Sequence, residues 1–429
     1  MAEKFSEHES ILIRNGVIVG GKKSAVDILI TGGLIKEIGN VTDPPENTHT
    51  VDLKGVYVSS GWADVHVHLR EPGREDEETI SSGSDAAMAG GFTAVCCMPN
   101  TNPPLDSEDM ITSIKKRAAG HLVEVFPVGA ISKERKGEQL AEMGNMVDAG
   151  AVGFSDDGDP VESEALMRIA LEYSKMFGVP IVNHSEVKSL SENGIMNEGA
   201  VSARLGIPGI PSHAEDIMVA RDIRLIELTN GILHVPHISS KETLELVRRA
   251  KANGLAVTCE VTPHHISLTD SNFEKFEAAY KVNPPLRTEE ELEALRSGLA
   301  DGTIDCIASD HAPHSPEENE ADLLDAPFGL VGLETAFAVC VVYLLDTRVL
   351  KLEELIEKLS TAPRKIYNLP SAEIKVGENA NMTFFDTATE WKVNSADFLS
   401  QSRNTPYEGM TLKGKVLGVV NGNKIYSAS

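Results

Sequence analysis

The sequence predicts an α/β fold: a (β/α)8 barrel of the TIM type with a small β-sandwich domain built from both chain termini. Two observations predict it. The middle of the chain alternates apolar strands with helical patterns, as such barrels do. Both ends instead consist of short strand patterns separated by turn residues, so we expect them to meet in one discontinuous domain. We place the sandwich at residues 1–55 and 372–429 and the catalytic barrel at 56–371.

The two ends of the chain carry the strand and turn patterns of the predicted sandwich. Residues 11–14 and 17–19, which are apolar except for Arg14, flank Asn15-Gly16, a pair that favours a tight hairpin turn. We therefore expect a hairpin close to the N-terminus. Further strand patterns cover 25–31, 34–38, 381–385 and 416–425, the last with a turn at Asn421-Gly422.

Eight apolar segments between these ends predict the strands of the barrel. Helical patterns lie between them, for example over 164–177 and 240–253, and the second of these begins with a capping-box sequence from Ser239 to Glu242. The segment 314–327, rich in proline and glutamate, predicts a long functional loop. The predicted barrel strands cover 56–69, 93–98, 123–128, 151–155, 180–183, 232–238, 255–261 and 304–309.

Composition and charge indicate a cytoplasmic enzyme rather than a nucleic-acid-binding or membrane protein. The 429 residues carry a formal net charge of −26, which disfavours contact with nucleic acid or an anionic membrane. The N-terminus is charged and has no apolar signal segment, and no apolar run is long enough to span a bilayer. Five cysteines lie in apolar segments without a Cys-x-x-Cys motif, so we expect buried free thiols in a reducing compartment.

Histidines and aspartates follow several of the predicted strands, at the end where such barrels carry their chemistry. His66 and His68 close the first strand and share one face of it, because residues i and i+2 of a strand point the same way. Imidazole and carboxylate donors without thiolate favour Zn²⁺, and six of them suit two ions better than one. The other candidate donors are Asp156 or Asp157 after the fourth strand, His184 after the fifth, His237 after the sixth and Asp310 after the eighth.

Longer motifs carry a resemblance to a known family. They are Asp64-Val-His-Val-His-Leu-Arg-Glu-Pro-Gly73, Met98-Pro-Asn-Thr101, Asp156-Asp-Gly158, Glu260-Val-Thr-Pro-His-His265, Lys281-Val-Asn-Pro-Pro-Leu-Arg287, Ala308-Ser-Asp-His-Ala-Pro-His314, Ala326-Pro-Phe-Gly-Leu-Val-Gly-Leu-Glu334 and Asn404-Thr-Pro406. In this order, and along nearly the whole chain, they resemble the amidohydrolase superfamily and, within it, the bacterial class I dihydroorotases. The resemblance implies a cyclic amide hydrolase that interconverts N-carbamoyl-L-aspartate and L-dihydroorotate in pyrimidine biosynthesis.

The resemblance also implies a role for each metal donor. Asp157 is preferred over Asp156 as the bridge because it matches the second aspartate of the family's Asp-Asp-Gly motif. Many superfamily members use a carbamylated lysine there, but this chain has no lysine between Lys136 and Lys175. We expect two zinc ions per chain, with a single ion as the alternative. The resemblance assigns one ion to His66, His68 and Asp310, the other to His184 and His237, and the bridge to Asp157; it leaves Asp156, Asp159, His234, His264 and His265 as non-ligands.

For the reaction, the resemblance implies one proton-transfer group and a set of substrate contacts. Asp310 accepts the proton of the attacking water and delivers it to the leaving ring nitrogen. Arg70 offers the substrate carboxylate a planar fork of donors. The residues implied for substrate binding are His68, Arg70, Asn100, Asn283, His314 and the backbone of Phe328 and Gly329.

Two alternatives remain open on sequence alone. An allantoinase or dihydropyrimidinase would share the His-x-His motif, but these enzymes generally use the lysine bridge, and their substrates lack the carboxylate that Arg70 would bind. A non-catalytic, dihydroorotase-like partner of aspartate transcarbamoylase would typically lose metal donors, which this chain keeps. We further expect a small-molecule substrate and a homodimer, and a complex with aspartate transcarbamoylase stays open.

Overall fold

The structure, a computed structural model, describes residues 4–21 and 24–428 and confirms the α/β class. Its strands are β1 (Ser6–Glu7), β2 (Ser10–Ile18), β3 (Val26–Thr31), β4 (Leu34–Gly39), β5 (His49–Asp52), β6 (Tyr57–Ser60), β7 (Trp62–Val67), β8 (Phe92–Cys97), β9 (Glu124–Pro127), β10 (Ile181–Val182), β11 (Met196–Asn197), β12 (Gly209–Ile210), β13 (Leu233–Val235), β14 (Val257–Val261), β15 (Cys306–Ile307), β16 (Asn381–Lys392), β17 (Thr411–Asn421) and β18 (Lys424–Ser427).

Helices fill most of the connections between the central strands. The α-helices are α1 (Ile80–Ala89), α2 (Glu108–Ala118), α3 (Met143–Ala149), α4 (Glu164–Ser174), α5 (Lys188–Ser191), α6 (Ala200–Leu205), α7 (His213–Thr229), α8 (Lys241–Ala252), α9 (Glu289–Ala300), α10 (Pro316–Asn319), α11 (Ala336–Cys340), α12 (Leu352–Ile356) and α13 (Ala362–Ile366). Short 3-10 turns lie at Lys133–Arg135, Lys175–Phe177, Asp270–Lys275, Ala278–Tyr280 and Ser395–Asp397, and π-helical turns at Val341–Leu345 and Glu357–Thr361.

A nine-stranded sheet joins the two ends of the chain. Its order is β1-β18-β17-β16-β6-β2-β3-β4, and β5 pairs with β2. Strands from the first 60 residues and from the last 50 therefore share one sheet. An apolar cluster that includes Ile11, Ile28, Met382 and Phe384 is buried against it, so burial of this cluster stabilises the association of the two ends.

The hairpin predicted at Asn15-Gly16 is wrong. β2 passes through this pair without reversing; its pairing with β3 stops after Ile13 and resumes at Gly16, which is a bulge. Asn15 adopts a φ of 57°, and a Cβ at Gly16 would lie 2.6 Å from Val58 Cγ2. The physical reason is that the far end of β2 pairs with β6, so the strand continues into the sheet. Asn15-Gly16 therefore marks a bulge within one strand and not a turn between two strands.

The middle of the chain supplies two groups of parallel strands. β7, β8 and β9 pair in that order, and so do β10, β13, β14 and β15. Single parallel bridges join Gly129 to Phe154, Phe154 to Ile181 and Val67 to His311, and these bridges connect the two groups. Because every one of these pairs is parallel, the carboxyl ends of the strands lie on the same side.

Two of the predicted central strands differ from the observed ones. The segment 56–69 is two strands, because β6 belongs to the terminal sheet and the first central strand, β7, starts only after Gly61. The segment 151–155 pairs with its neighbours only through Phe154, which bridges to Gly129 and to Ile181. It ends there because the carboxylate of Asp156 turns aside to accept hydrogen bonds from the amides of Ile131 and Ser132, at 2.9 and 3.0 Å.

The helix predicted over 164–177 is confirmed as α4 and the 3-10 turn that follows it. The helix predicted over 240–253 is confirmed as α8, but its predicted capping box is wrong. Ser240 caps α8 by accepting from the amides of Glu242 and Thr243, whereas the Ser239 hydroxyl is taken by the carboxylate of Glu215.

The sequence-based expectation of buried free thiols is confirmed, since all five cysteines are free and buried. Among the described residues, no helix is long and apolar enough to cross a membrane.

Candidate metal centre and substrate cavity

The structure brings the six predicted metal donors together at the carboxyl ends of the parallel strands. His66 lies near the end of β7, with His68 just beyond it, and Asp310 follows β15. The Nε2 atom of His68 is 3.1 Å from Asp310 Oδ1, and that of His66 is 3.7 Å from the same oxygen. His184 follows β10 and His237 follows β13. All six side chains are buried or nearly so.

Asp157 occupies the centre of this cluster. Its Oδ1 atom lies 3.6 Å from His66 Nε2, 3.5 Å from His184 Nδ1 and 3.6 Å from His237 Nε2. Its Oδ2 atom lies 3.6 Å from His68 Nε2. One carboxylate therefore faces both histidine pairs, and two groups of potential donors, one with His66 and His68 and one with His184 and His237, share it.

The arrangement of the donor atoms suits a bound divalent cation better than it suits hydrogen bonds between these side chains. His66 Nε2 and Asp157 Oδ1 are buried and have no hydrogen-bond partner among the described residues. Such atoms are costly to bury unpaired. Burial opposes ionisation of Asp157, but the charge of His66 and contacts with His184 and His237 hold the pKa of its carboxyl well below the usual range. A ring of imidazole nitrogens around an ionised carboxylate is suited to a metal such as zinc.

The ring nitrogens that face away from the cluster differ in their partners. His66 Nδ1 donates to Glu260 Oε1 at 2.7 Å, and His68 Nδ1 donates to Asn100 Oδ1 at 2.8 Å. His184 Nε2 lies 3.4 Å from Glu186 Oε2. His237 Nδ1 has no partner among the described residues. Neither Glu260 nor Glu186 was predicted from the sequence, although a glutamate inside the apolar strand β14 is an unusual feature that indicates a role.

Three of the residues at this site have left-handed backbone. The φ angles of Arg70, His237 and Asp310 are 60°, 33° and 48°. Residues with a Cβ rarely adopt positive φ, and those that do cluster at functional sites because surrounding structure must enforce the conformation. Nothing in the sequence pattern indicated this.

A cavity of about 850 Å³ opens onto the metal donors. Its wall includes most of the residues predicted to bind substrate: His68, Arg70, Asn100, Asn283, Phe328 and Gly329. His314 is the exception, because it lines an adjacent, smaller cavity and its Nε2 atom donates to the Phe328 carbonyl at 2.8 Å. It lies behind the wall and supports the backbone of that segment.

Arg70 is a cationic side chain held in place in the cavity wall. Its Nε atom donates to the Pro313 carbonyl at 3.0 Å and lies 2.9 Å from Glu77 Oε2. Its two terminal nitrogens make no hydrogen bond with the described residues, and Asp310 lies close enough to act on its charge. Glu77, which the sequence-based analysis did not identify, thus holds the guanidinium with its free edge available to a ligand.

Comparison with known proteins gives a consistent family. The model of the dihydro-orotase-like family matches residues 55–243. The dihydroorotase of Citrifermentans bemidjiense is 45% identical over 424 residues, which are 98% of this chain and 100% of that protein. The dihydroorotase of Caldanaerobacter subterraneus subsp. tengcongensis is 44% identical over 410 residues, 95% of this chain and 94% of that protein.

The chain belongs to the dihydroorotase family. The predicted resemblance is therefore confirmed, and the chain is a cyclic amide hydrolase whose histidine and aspartate clusters are suited to a divalent metal ion.

Solved structures with the same fold come from neighbouring cyclic amide hydrolases. The L-hydantoinase (dihydropyrimidinase) of Arthrobacter aurescens superposes with a TM-score of 0.86 at 25% identity, covering 97% of this chain and 96% of that one. The dihydropyrimidinase of Brevibacillus agri gives a TM-score of 0.82 at 21% identity, covering 96% of this chain and 94% of that one. These likenesses support the fold, whereas the curated relatives support the dihydroorotase family.

The histidines predicted as non-ligands of this dihydroorotase-family chain have other surroundings. His234 bonds to Thr258 at 2.8 Å and to Glu260 at 3.0 Å. His265 donates to the Pro284 carbonyl at 2.9 Å. His264 is buried, and burial lowers its pKa to about 4. Asp159 pairs with Arg135 near the surface. None of these imidazoles belongs to the two donor groups that share Asp157.

Proposed function

We propose that this chain is the dihydroorotase of pyrimidine (UMP) biosynthesis and reversibly cyclises N-carbamoyl-L-aspartate to L-dihydroorotate. The observation that carries the proposal is that one cavity contains both the histidine–aspartate cluster and the guanidinium of Arg70. A cyclic amide that bears a carboxylate needs both, one for the amide bond and one for the carboxylate. Hydantoins and dihydrouracil have no such carboxylate.

The proposed cofactor is Zn²⁺, two ions per chain, with a single ion as the alternative. His66, His68 and Asp310 would hold one, His184 and His237 the other, and Asp157 would bridge them. When bound, zinc would polarise the ring carbonyl and lower the pKa of a water molecule to near neutrality. The shared position of Asp157, with both of its oxygens facing histidine nitrogens, supports this assignment.

Asp310 is the proposed proton carrier of the reaction. In hydrolysis its carboxylate would take a proton from the attacking water and pass it to the ring nitrogen as the C–N bond breaks; cyclisation would reverse the transfer. Its contact with His68, together with the charges of His66 and His237, overcomes the effect of burial and holds the pKa of Asp310 far below its usual range. The group is therefore ionised, which is the form that a proton acceptor requires.

The remaining contacts would orient the substrate. The guanidinium of Arg70 and the amide of Asn100 would hold the carboxylate, and His314 would contribute indirectly by holding the Phe328 carbonyl. Asn283 and the backbone of Phe328 and Gly329 would hold the amide edges of the ring. Arg70 and Asn100 line the same cavity as His68, and Asn100 bonds to it, which supports this arrangement.

For the fold, we propose a closed (β/α)8 barrel over residues 56–371 and a discontinuous sandwich domain over 1–55 and 372–429. Parallel pairs and bridges lead from β7 through the other central strands to His311, which follows β15. The bridge from His311 back to Val67 in β7 supports the closure. The sheet built from both ends supports the second domain, and because β6 (Tyr57–Ser60) belongs to that sheet, the first boundary moves from residue 55 to Ser60. A homodimer, and a complex with aspartate transcarbamoylase, stay predictions drawn from the family resemblance.

An assay on three substrates, with metal analysis of the same sample, tests the proposed function. Ring opening of dihydroorotate, dihydrouracil and hydantoin is followed by the loss of ultraviolet absorbance of the ring amide, and cyclisation of N-carbamoyl-aspartate by its gain. We expect turnover of dihydroorotate in both directions and very little with the other two rings. Turnover of hydantoin or dihydrouracil equal to that of dihydroorotate would favour the hydantoinase alternative, which the solved structures suggest.

A further inference from the structure

A buried carboxylate lies directly beneath the metal donors. Glu260 is on β14, and its side chain is fully buried. Its Oε1 atom accepts from His66 Nδ1 at 2.7 Å, and its Oε2 atom accepts from His234 Nε2 at 3.0 Å. His234 Nδ1 in turn accepts from the Thr258 hydroxyl at 2.8 Å. A continuous hydrogen-bonded chain therefore runs from Thr258 through His234 and Glu260 to His66.

We propose that Glu260 is a positioning residue that fixes His66 with its proton on Nδ1 and its Nε2 lone pair directed at the metal position. An ionised carboxylate can only accept hydrogen bonds, so the imidazole nitrogen facing it must carry the proton. The opposite nitrogen, Nε2, is then free to bind a cation. This inference rests on the proposed metal site and concerns how the chain prepares one of its donors.

Both oxygens of the buried Glu260 carboxylate have a donor. Oε1 accepts from His66 Nδ1 and Oε2 accepts from His234 Nε2, so neither oxygen is left unpaired. Asp64, also buried below the site, differs because its carboxylate accepts from the backbone amides of Ser309 and His66 and contacts no imidazole. Glu260 is thus the carboxylate of this layer that acts on a donor ring.

The four donor histidines are not supported equally. His68 is held by the neutral amide oxygen of Asn100. The carboxylate near His184, Glu186, is 3.4 Å away and is also bound by Lys188 and Asn283, at 2.8 and 3.2 Å. Among the described residues, His66 is the donor histidine whose outward-facing nitrogen makes a short contact with a carboxylate that has no lysine or arginine beside it, so we expect the largest effect there.

A metal site of its own is the competing explanation for Glu260. Glu260, His234 and Cys306 lie close enough to share an ion. However, both oxygens of Glu260 and both nitrogens of His234 are already engaged in hydrogen bonds with good geometry. Burial also raises the pKa of the Cys306 thiol well above its usual value, so the thiolate that a metal would need is disfavoured.

The test compares Glu260→Gln with wild type and with Glu334→Gln. Glu334 is a matched control because its carboxylate is held by the amides of Leu399 and Ser400 and has no hydrogen bond with a histidine. Zinc is removed from each full-length protein, and its affinity is then measured by competition with a chromophoric chelator. The thermal unfolding of each apoprotein is measured alongside.

We expect Glu260→Gln to bind zinc roughly 10- to 100-fold more weakly than wild type, as is typical when a metal-bound histidine loses its carboxylate partner. Glu334→Gln should stay within about two-fold of wild type, including when it unfolds at a lower temperature. A wild-type affinity in Glu260→Gln would overturn the inference. Failure of the wild-type protein to bind zinc would instead overturn the proposed metal site, so the two failures are distinguishable.

A second measurement covers the case in which Glu260→Gln does not fold. In zinc-loaded wild-type protein labelled with ¹⁵N-histidine, the His66 ring should show a protonated Nδ1 and a metal-bound Nε2. The His66 signals are identified by their loss in His66→Gln. Binding of zinc through Nδ1 of His66, or an unprotonated Nδ1, would overturn the inference without any Glu260 variant.

Discussion

At the scale of single residues, the residue proposed to bridge the two metal ions determines whether the enzyme needs carbon dioxide to assemble its metal site. A carbamylated lysine forms only with dissolved CO₂, whereas Asp157 needs none. We expect apoenzyme to regain full activity with Zn²⁺ alone, at the same rate with and without bicarbonate. Asp157→Asn should lose metal and activity together, because it removes a negative charge that faces four imidazoles.

Asp156→Asn is the matched control for this prediction. Asp156 accepts hydrogen bonds from the amides of Ile131 and Ser132 and lies outside the donor cluster. Its loss should lower the unfolding temperature and leave the metal content near that of wild type. A requirement for bicarbonate, or greater metal loss in Asp156→Asn than in Asp157→Asn, would show that the bridge is assigned to the wrong residue.

The proton-carrying role proposed for Asp310 gives a second prediction. Asp310→Asn keeps the size of the side chain and one metal-binding oxygen but cannot accept a proton. We expect turnover to fall by roughly two orders of magnitude or more in both directions. Metal content, measured on the same sample, should stay close to that of wild type. Near-normal turnover in a metal-replete variant would show that another group moves the proton.

The role of Arg70 is tested by comparing two rings. Loss of a charge-assisted contact costs about 1.5–3 kcal/mol, so Arg70→Met should lower kcat/KM for dihydroorotate by roughly 10- to 100-fold. Dihydrouracil, which lacks the carboxylate, should remain a very poor substrate with little change. Arg74→Met is the control, since Arg74 also pairs with Glu77 but does not line the cavity. An equal proportional loss on both rings would mean that Arg70 does not recognise the carboxylate.

The candidate metal donors could be predicted from the sequence more easily than the residues that hold the site side chains in place. His66 and His68 could be recognised because a two-residue spacing on one strand puts both on one face. Glu260 is 194 positions from His66, and their contact depends on which strands become neighbours. Glu77 beside Arg70 was missed for a similar reason, since the ion pair is made by a loop with irregular backbone that follows β7.

At the scale of elements, apolar runs located the central strands but did not fix where they end. The run over 56–69 is continuous in sequence, yet it crosses from the terminal sheet to the central strands at Gly61. The run over 151–155 pairs only through the two bridges at Phe154, because the next carboxylate turns toward backbone amides. Both endings depend on contacts with distant segments, which hydrophobic periodicity does not report.

Lys281 is one of the residues that anchor the loop carrying Phe328. Lys281 Nζ donates to the carbonyls of Leu323, Leu324 and Ala326 at 3.0, 2.9 and 2.6 Å, and it lies 4.9 Å from the centre of the Phe328 ring. Lys281→Met would leave these carbonyls without their donor and loosen one wall of the cavity. We expect KM for dihydroorotate to rise about ten-fold, with unchanged metal content.

Lys275→Met serves as the control for Lys281, because Lys275 is exposed and bonds to Tyr280 rather than to the loop. It should leave KM unchanged. The measurement is steady-state kinetics on metal-replete protein. If Lys281→Met changed kcat or metal content but not KM, the loop would not depend on this lysine for its position at the substrate.

At the scale of the whole molecule, a buried contact around Trp62 and Gly61, here called the seam, joins the terminal sheet to the central strands. Trp62, the first residue of β7, packs its ring against Phe337 and Phe385, with centroids 4.8 and 5.3 Å away. The buried guanidinium of Arg364 donates to the Gly61 carbonyl and, at 3.0 Å, to the Thr93 hydroxyl. We therefore expect both parts to unfold together in a single transition, since neither can separate without exposing this seam.

Gly61 is the position where the seam has no space to spare. A Cβ there would lie 1.8 Å from Asn381 Oδ1 and 2.4 Å from Thr93 Oγ1. Neither atom can move freely, because the Thr93 hydroxyl donates to Asn381 Oδ1 at 2.6 Å and accepts from Arg364. Gly61→Ala must push the terminal sheet away from β7 and should cost about 1–3 kcal/mol of unfolding free energy, as other overpacked cores do.

The matched control is Gly199→Ala, where a Cβ would meet only one side-chain atom, at 3.5 Å. Thermal unfolding followed by circular dichroism should give a lower midpoint for Gly61→Ala than for Gly199→Ala, with one transition in each. Because the seam lies at the opposite end of β7 from His66 and His68, zinc affinity should change little. A wild-type midpoint for Gly61→Ala, or two separate transitions in the wild-type protein, would show that the seam does not couple the two parts.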